Sequence, residues 1–478
     1  MVRELMTMIG IKQLGKKIME GDLSPLDLVE TCLERIKKLD LLLNAFITVL
    51  DDRARKDAAI VERQIKQGYY VGPLHGIPFS IKDIICAKDV RCTAGSKIMS
   101  EYISKIDATC VSRMKKAGAI LIGTNNLHEF ASGITSINPH YGSSKNPWNT
   151  LKLSGGSSGG SAVSVSAGMV PISLGTDTGG SIRVPSSLCG VTGLKPTYGR
   201  VSKHGIMSLA PSLDHIGCIT RSAWDAGAIL QAIAGQDAFD PSTENEQVPD
   251  YVKTIEERKI TTCKNLSVGV PKEYFFDYLE PQVKRVFHDF IDTIKSMDII
   301  VSDIDIQETD KIYDSWAPIR LAEAAEIHLK WLETRAKDYG EDVRRMLIEG
   351  TKISAVKYIR AQRFRNEIRN EFMRIFKNVD VLVMPTTPLT APTFDERIIS
   401  IDGKVHEIRQ VLLRNNIAFN STGLPAVSIP AGLANHNMPV GVQIVGRPFE
   451  EDKILSIAYT YESVNDSLLK FIPALAAT

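Results

Sequence analysis

The chain has 478 residues, 44% of them hydrophobic and 24% charged, with a formal net charge of +1. That is ample length for one large core or two domains, and the charge balance does not point to a nucleic-acid or membrane-surface binder. No run of about 18 apolar residues exists, so no transmembrane helix is expected, and "MVRELMTMIGIKQLGKKIMEGD" lacks the apolar core and cleavage site of a signal peptide.

The first predicted element is a helix in "SPLDLVETCLERIKKL", with Ser24 at the N-cap, Pro25 at the first helical position and Asp27 near the positive end. Leu26, Val29, Leu33 and Ile36 recur on one face and predict a buried stripe. From about Gly72 short apolar runs alternate with helical segments: 119–123, 169–177, 266–272, 380–385, 426–432 and 439–446. Rich in Val and Ile and bounded by Gly or Pro, they fit strands buried on both faces. The alternation predicts an α/β protein with a largely covered sheet. The polar stretch Gly235 to Thr254 reads as a surface loop. "KYIRAQRFRNEIRNEFMRIFK" (Lys357 to Lys377) is strongly basic, with Ala361, Phe364, Ile368, Phe372 and Ile375 as its apolar face; a solvated helix face accounts for it better than a nucleic-acid contact.

Seven cysteines (Cys32, Cys86, Cys92, Cys110, Cys189, Cys218, Cys263) are scattered, with no CxxC pair, which favours reduced thiols in a cytoplasmic protein over disulfides or a zinc site. The glycosylation-like triplets at Asn265, Asn420 and Asn465 then carry no meaning. There is no nucleotide P-loop, and "HEFAS" and "HEIRQ" lack the second His of a zinc-protease helix. No cofactor and no metal are expected.

Chemistry is suggested by three stretches. In "PLHGIPFSIKDII", Lys82 ends a strand-like run flanked by Ile77, Phe79, Ile81 and Ile84; desolvation there would lower its pKa and make it a neutral base. On its own such a lysine is more often snorkelling or salt-bridged. "GGSSGG" holds Gly155, Ser157 and Gly159 at GxSxG spacing, but "KNPWNTLKL" before it reads as a loop, not the buried strand of a hydrolase elbow. "MVPISLGTDTGGSIR" is a predicted strand ending in a Gly-rich turn at Ser181. Such a turn can aim the N–H groups of Thr178, Gly179, Gly180 and Ser181 at an oxyanion formed by attack of Ser181 on a carbonyl. A serine nucleophile still needs a base. His140, His204 and His215 are the histidines nearest in sequence, and each reads as structural or surface.

Together "GIPFSIKD", "GGSSGGSA" and "GTDTGGSIRVPSSLCGVTGLKPTYGRVS" resemble the amidase signature family. "TNNLHEFASG", "KNPWN", "VLVMPTTP" and "NSTGLPAVSIPAG…PVGVQIVG" extend the resemblance to about Arg447. It implies a large mixed, twisted β-sheet covered by helices on both faces, in one compact domain with a helical region 1–66, a signature core 72–222, a variable substrate side 236–415 and a return to the core 416–478. It implies a Ser–Ser–Lys triad: Ser181 as acyl nucleophile, Ser157 as bridging serine in a cis peptide with Gly156, and Lys82 as base. Neutral Lys82 would take the proton of Ser157 as Ser157 takes that of Ser181. Asp177 and Arg183 would form a buried pair shaping the turn. Ser154, Ser158 and Ser161 would serve the turns.

Two activities in the family fit. One is a stand-alone amidase releasing ammonia from a small carboxylic amide, with a homodimer compatible with that reading. The other is the glutamine-binding amidase subunit of a tRNA-dependent amidotransferase, which passes ammonia to a partner subunit. Three departures favour the first. His128 stands where the subunit has an acid; "GTKISAVKYIRAQ" lacks its tyrosine-rich segment; and "IRQVLLRNNIAFNSTGLP" has Arg414 and Asn416 and no acid. Without those groups the glutamine ammonium has no evident receptor. A non-catalytic binding protein on the same fold is the third reading, against which all three triad positions are filled. The acyl pocket is expected between 127 and 138 and in 316–414, with Trp316, Tyr358 and Phe419 among candidate lining residues.

Overall fold

Ser24 Oγ accepts from the amides of Leu26 (3.1 Å) and Asp27 (3.3 Å), so the helix Pro25–Leu43 begins at the predicted cap. Its buried stripe holds Val29, Leu33 and Ile36 but is broader than predicted, because Leu28, Cys32 and Leu39 also turn inward while Leu26 is only half-buried. The computed structural model describes residues 9–257, 266–401, 403–465 and 472–477; Cys263 and Asn265 lie outside these.

Among the described residues eleven strands form one sheet. Their spatial order is Phe46–Val49, Ile120–Asn125, Pro78–Lys82, Ile172–Asp177, His215–Thr220, Thr192–Lys195, Ala426–Leu433, Pro439–Val445, Val381–Pro385, Ser267–Pro271 and Ile300–Ile304. Pro78–Lys82 runs parallel to both neighbours, as does Ser267–Pro271. The remaining pairs are antiparallel, so the sheet is mixed. Every residue of Ile120–Asn125, Ile172–Asp177 and Pro439–Val445 is buried, as strands with helices on both faces require. All six predicted apolar runs are strands.

Four sheet strands fell outside the predicted runs. "HIGCIT" is broken by glycine and cysteine, "FITV" and "TGLK" are too short to stand out, and "IVSDI" is a half-exposed edge strand. The stretch read as a loop before Ser157 contains a small hairpin, Lys145–Asn146 with Asn149–Leu153. It leaves Leu151 73% exposed, so it is a surface ribbon and not the buried strand of a hydrolase elbow. The basic segment is the helix Ala355–Ile375, with Ala361, Ile368, Phe372 and Ile375 inward and Arg360, Arg363 and Arg369 in solvent. Between Gly235 and Asp250 the chain has little regular structure before the helix Tyr251–Glu257, and Arg200 holds its carbonyls at Glu246 (3.2 Å) and Gln247 (3.0 Å).

Pro78–Lys82 and Ile172–Asp177 are adjacent and parallel, and both end at the same edge of the sheet. In open α/β sheets the carboxyl ends of parallel strands border the binding crevice. Lys82 and Asp177 are the last residues of these two strands.

Candidate active site

Lys82 is fully buried in a strand whose other residues are Pro78, Phe79, Ser80 and Ile81. Its Nζ lies 2.7 Å from Ser157 Oγ and 2.8 Å from Thr176 Oγ1. Burial draws its ammonium down to about 7, against the attraction of Asp177 and Asp214. No carboxylate among the described residues forms an ion pair with it, and that distinguishes this lysine from a salt-bridged core residue.

Ser157 precedes the helix Gly159–Ser166, and its peptide bond with Gly156 is cis. Its carbonyl accepts from the His128 amide (3.2 Å) and Ser136 Oγ (3.4 Å). A Cβ on Gly156 would stand 2.6 Å from Ser136 Oγ, so only glycine lets the two loops approach. Ser181 sits between Ile172–Asp177 and the helix Arg183–Cys189. The two turns are tied by the Ser158 amide, which donates to Ser181 O at 3.1 Å, and Ser158 Oγ donates to Thr176 O at 3.1 Å. Lys82 and Ser157 therefore meet directly. Ser181 is held alongside, with no hydrogen bond between its hydroxyl and that of Ser157.

Asp177 organises the turn that carries Ser181. Its carboxylate accepts from the amides of Gly180 (2.7 Å) and Ile182 (3.1 Å) and pairs with Arg183 Nε at 3.1 Å. Burial opposes ionisation, but the Arg183 charge and hydrogen bonds, with Lys195 and Asn420, outweigh it and hold the carboxyl below the usual range. Arg183 also reaches Gln443 Oε1 (3.0 Å) and Asn420 Oδ1 (2.7 Å). This corrects one expectation: the Gly180 N–H is directed at Asp177 and not into the crevice. The amides of Thr178, Gly179 and Ser181 have no acceptor among the described residues.

An open cavity of about 180 Å³ lies at Thr178, Gly179 and Ser181. It is walled by 131–134 and, from the other side, by Tyr313, Trp316, Arg320, Asp342, Arg345, Arg409 and Leu413 among others. Trp316 is fixed there by its indole N–H, which donates to Thr178 O at 3.0 Å. Tyr358 and Phe419 do not line it: Tyr358 bonds Glu323 (2.8 Å), and Phe419 is in the core against Phe275. His128 reaches Asp342 Oδ2 at 3.0 Å, and Arg409 closes on the same carboxylate at 2.6 Å. Burial lowers the His128 pKa, against the pull of Asp342. His140 bonds Glu129 (3.0 Å), His204 stacks on Phe239 and His215 bonds Leu213 O (2.7 Å); none meets the serines. Among the described residues no three His, Cys, Asp or Glu side chains gather to hold a metal.

A family model described as amidase matches residues 27–455. The chain belongs to the amidase family. Among its relatives, a glutamyl-tRNA(Gln) amidotransferase subunit of Heliobacterium modesticaldum is 37% identical over 94% of this chain and 95% of its own. The solved glutamyl-tRNA(Gln) amidotransferase subunit of Thermotoga maritima is 34% identical, covers 96% of this chain and 95% of its own, and has a TM-score of 0.79. A chain from a vestigial protein complex bearing on the origins of an s-triazine catabolic enzyme is 32% identical, covers 95% and 98%, and has a TM-score of 0.91. The sequence relatives carry the name of an amidotransferase subunit, whereas the sequence departures favour a stand-alone amidase.

For this member of the amidase family, sequence reasoning missed Thr176 beside Lys82, and Asp214, which accepts from Thr178 Oγ1 at 2.6 Å. Thr176 lies within "GTDTGGS", next to residues that were singled out; Asp214 carries no local signal. Asp342 and Arg409 enter from helices remote in sequence, and only the packing shows that they share a cleft with Ser181. No helix among the described residues is long and apolar enough to cross a membrane.

Proposed function

We propose that this protein cleaves an amide through an acyl-enzyme on Ser181, with Ser157 relaying the proton to Lys82. The observation that carries the reading is the 2.7 Å contact of Lys82 Nζ with Ser157 Oγ in surroundings that draw the lysine down to about 7. Ser181 Oγ attacks the carbonyl carbon; its proton passes to Ser157 as the proton of Ser157 passes to neutral Lys82. The oxyanion forms against the amides of Thr178, Gly179 and Ser181. The relay then returns a proton to the departing nitrogen, ammonia leaves, and water releases the acid from Ser181. The Ser181–Ser157 hydrogen bond forms as substrate binds, since catalytic contacts of this kind tighten then.

Similarity to the glutamyl-tRNA(Gln) amidotransferase relative along nearly the whole chain supports glutamine as the amide, with the ammonia received by a partner protein. A stand-alone amidase is the second reading, supported by the stretch with Arg414 and Asn416, which lacks the acid expected of the amidotransferase relatives; the acids that do line the cleft are Asp342, Glu349 and Glu407, from other positions. Ammonia release from glutamine and from a panel of simple amides separates them, with fluorophosphonate labelling as the common control. Labelling is expected at Ser181 and lost in Ser181→Ala. An unlabelled protein that releases no ammonia from any amide would sink both readings.

A further inference from the structure

Tyr313, Trp316 and Arg320 enter the cleft from one helix, Ile312–Arg335, at spacings that place them on a single helix face. Trp316 joins that face to the nucleophile turn. Beyond its bond to Thr178 O, its ring lies so close to Gly179 that a Cβ there would stand 2.5 Å from Cζ2. The Arg320 guanidinium lies over the same ring, 4.9 Å from the centroid. Its Nε is buried with no hydrogen-bond partner, and among the described residues the guanidinium closes no ion pair. Arg409 differs, being held by Asp342 at 2.6 Å; Arg345, also in the cleft and without an ion pair among the described residues, differs in being exposed to solvent. Glu349, on the adjoining helix Glu341–Gly350, attracts Arg320 without pairing with it.

A guanidinium stays charged when buried and presents a planar fork that matches a carboxylate. Arg320 is half-buried with its Nε unpartnered, and although Glu349 attracts it, no carboxylate among the described residues pairs with it, so a carboxylate that enters the cleft can. We propose that Arg320 binds a carboxylate on the acyl part of the substrate, so that this site takes anionic amides such as the half-amides of short dicarboxylic acids. The indole of Trp316 touches both the Ser181 turn and the guanidinium, and Ser181 and Arg320 line the same cavity of about 180 Å³, so one short acyl chain can meet both. The proposal rests on the amide-hydrolase reading above and holds whether or not glutamine, itself a carboxylate, is the substrate.

The test pairs the half-amides of succinic and glutaric acid with the corresponding neutral diamides. The wild type should favour each half-amide by about tenfold or more in kcat/KM, expressed in KM. Arg320→Gln should shrink that ratio by about ten- to a hundredfold, and Arg320→Lys should keep part of it. Equal use of acid and diamide, or an equal loss of both in Arg320→Gln, overturns the proposal. Binding of the same pairs to Ser181→Ala by calorimetry separates recognition from turnover. If the wild type hydrolyses no amide but Ser181→Ala still prefers the half-amides, and loses the preference with Arg320→Gln, the hydrolase reading fails and the carboxylate site stands. If Ser181→Ala binds neither or shows no preference, the carboxylate site fails.

Discussion

At the residue scale the decisive group is Lys82. A lysine at its ordinary value would be protonated at neutral pH and could take no proton from Ser157. Burial beside hydroxyls in place of a paired carboxylate draws it to about 7. Below that value the ammonium form dominates and the relay has no acceptor; above it the neutral amine does. kcat/KM for a good amide should therefore rise with pH through about 7 and level off, unless another group intervenes at higher pH. Lys82→Ala should lose about 10²–10⁴-fold and the inflection with it. A near-normal rate in that variant, or a flat profile in the wild type, would refute the relay. The residue was legible in the sequence as a lysine in an apolar run. Its partner Thr176 was not, since a threonine one strand away has no signature until the sheet sets the two side by side.

At the scale of elements, the turn that carries Ser181 is held from three sides. Arg183 binds Asp177 within the turn, Asn420 in the helix Ile417–Ser421 and Gln443 in the strand Pro439–Val445. Both members of the pair are fully buried, so removing one strands a charge in the core. Arg183→Met should destabilise the protein by about 3–5 kcal/mol, read as a shift in the denaturant midpoint. A change under about 1 kcal/mol would show that Asn420 and the turn amides suffice for Asp177. The Asp177–Arg183 pairing could be read from their proximity in the chain. That Asp177 also takes up the Gly180 amide could not, because it depends on the turn's geometry and not on residue type.

At the scale of the whole molecule the open matter is company. A nitrogen-donating subunit is expected to come off an affinity column with a stoichiometric partner when tagged at its natural level, and to deliver ammonia from glutamine. Light scattering showing the chain alone or as a homodimer, with full amide turnover in that state, would favour the stand-alone reading. The basic helix Ala355–Ile375 does not bear on this choice, as its arginines are partly in solvent and partly structural: Arg365 donates to Ser212 O at 2.8 Å.

The sequence by itself determined the α/β class, the covered strands and the three residues on which the proposed chemistry rests. Buried strands need runs of apolar residues, while the roles of Lys82, Ser157 and Ser181 came from the resemblance of their motifs to the amidase signature family. Only the tertiary structure decided which amides are left without an acceptor, how far Lys82 is stripped of water, and which cleft arginine has a buried, unpartnered Nε. Those properties belong to contacts between distant segments: Trp316 with Thr178, Arg409 with Asp342, Arg183 with Gln443. Burial and hydrogen-bond partnership are set by what packs around a group, and the local chain carries no record of that.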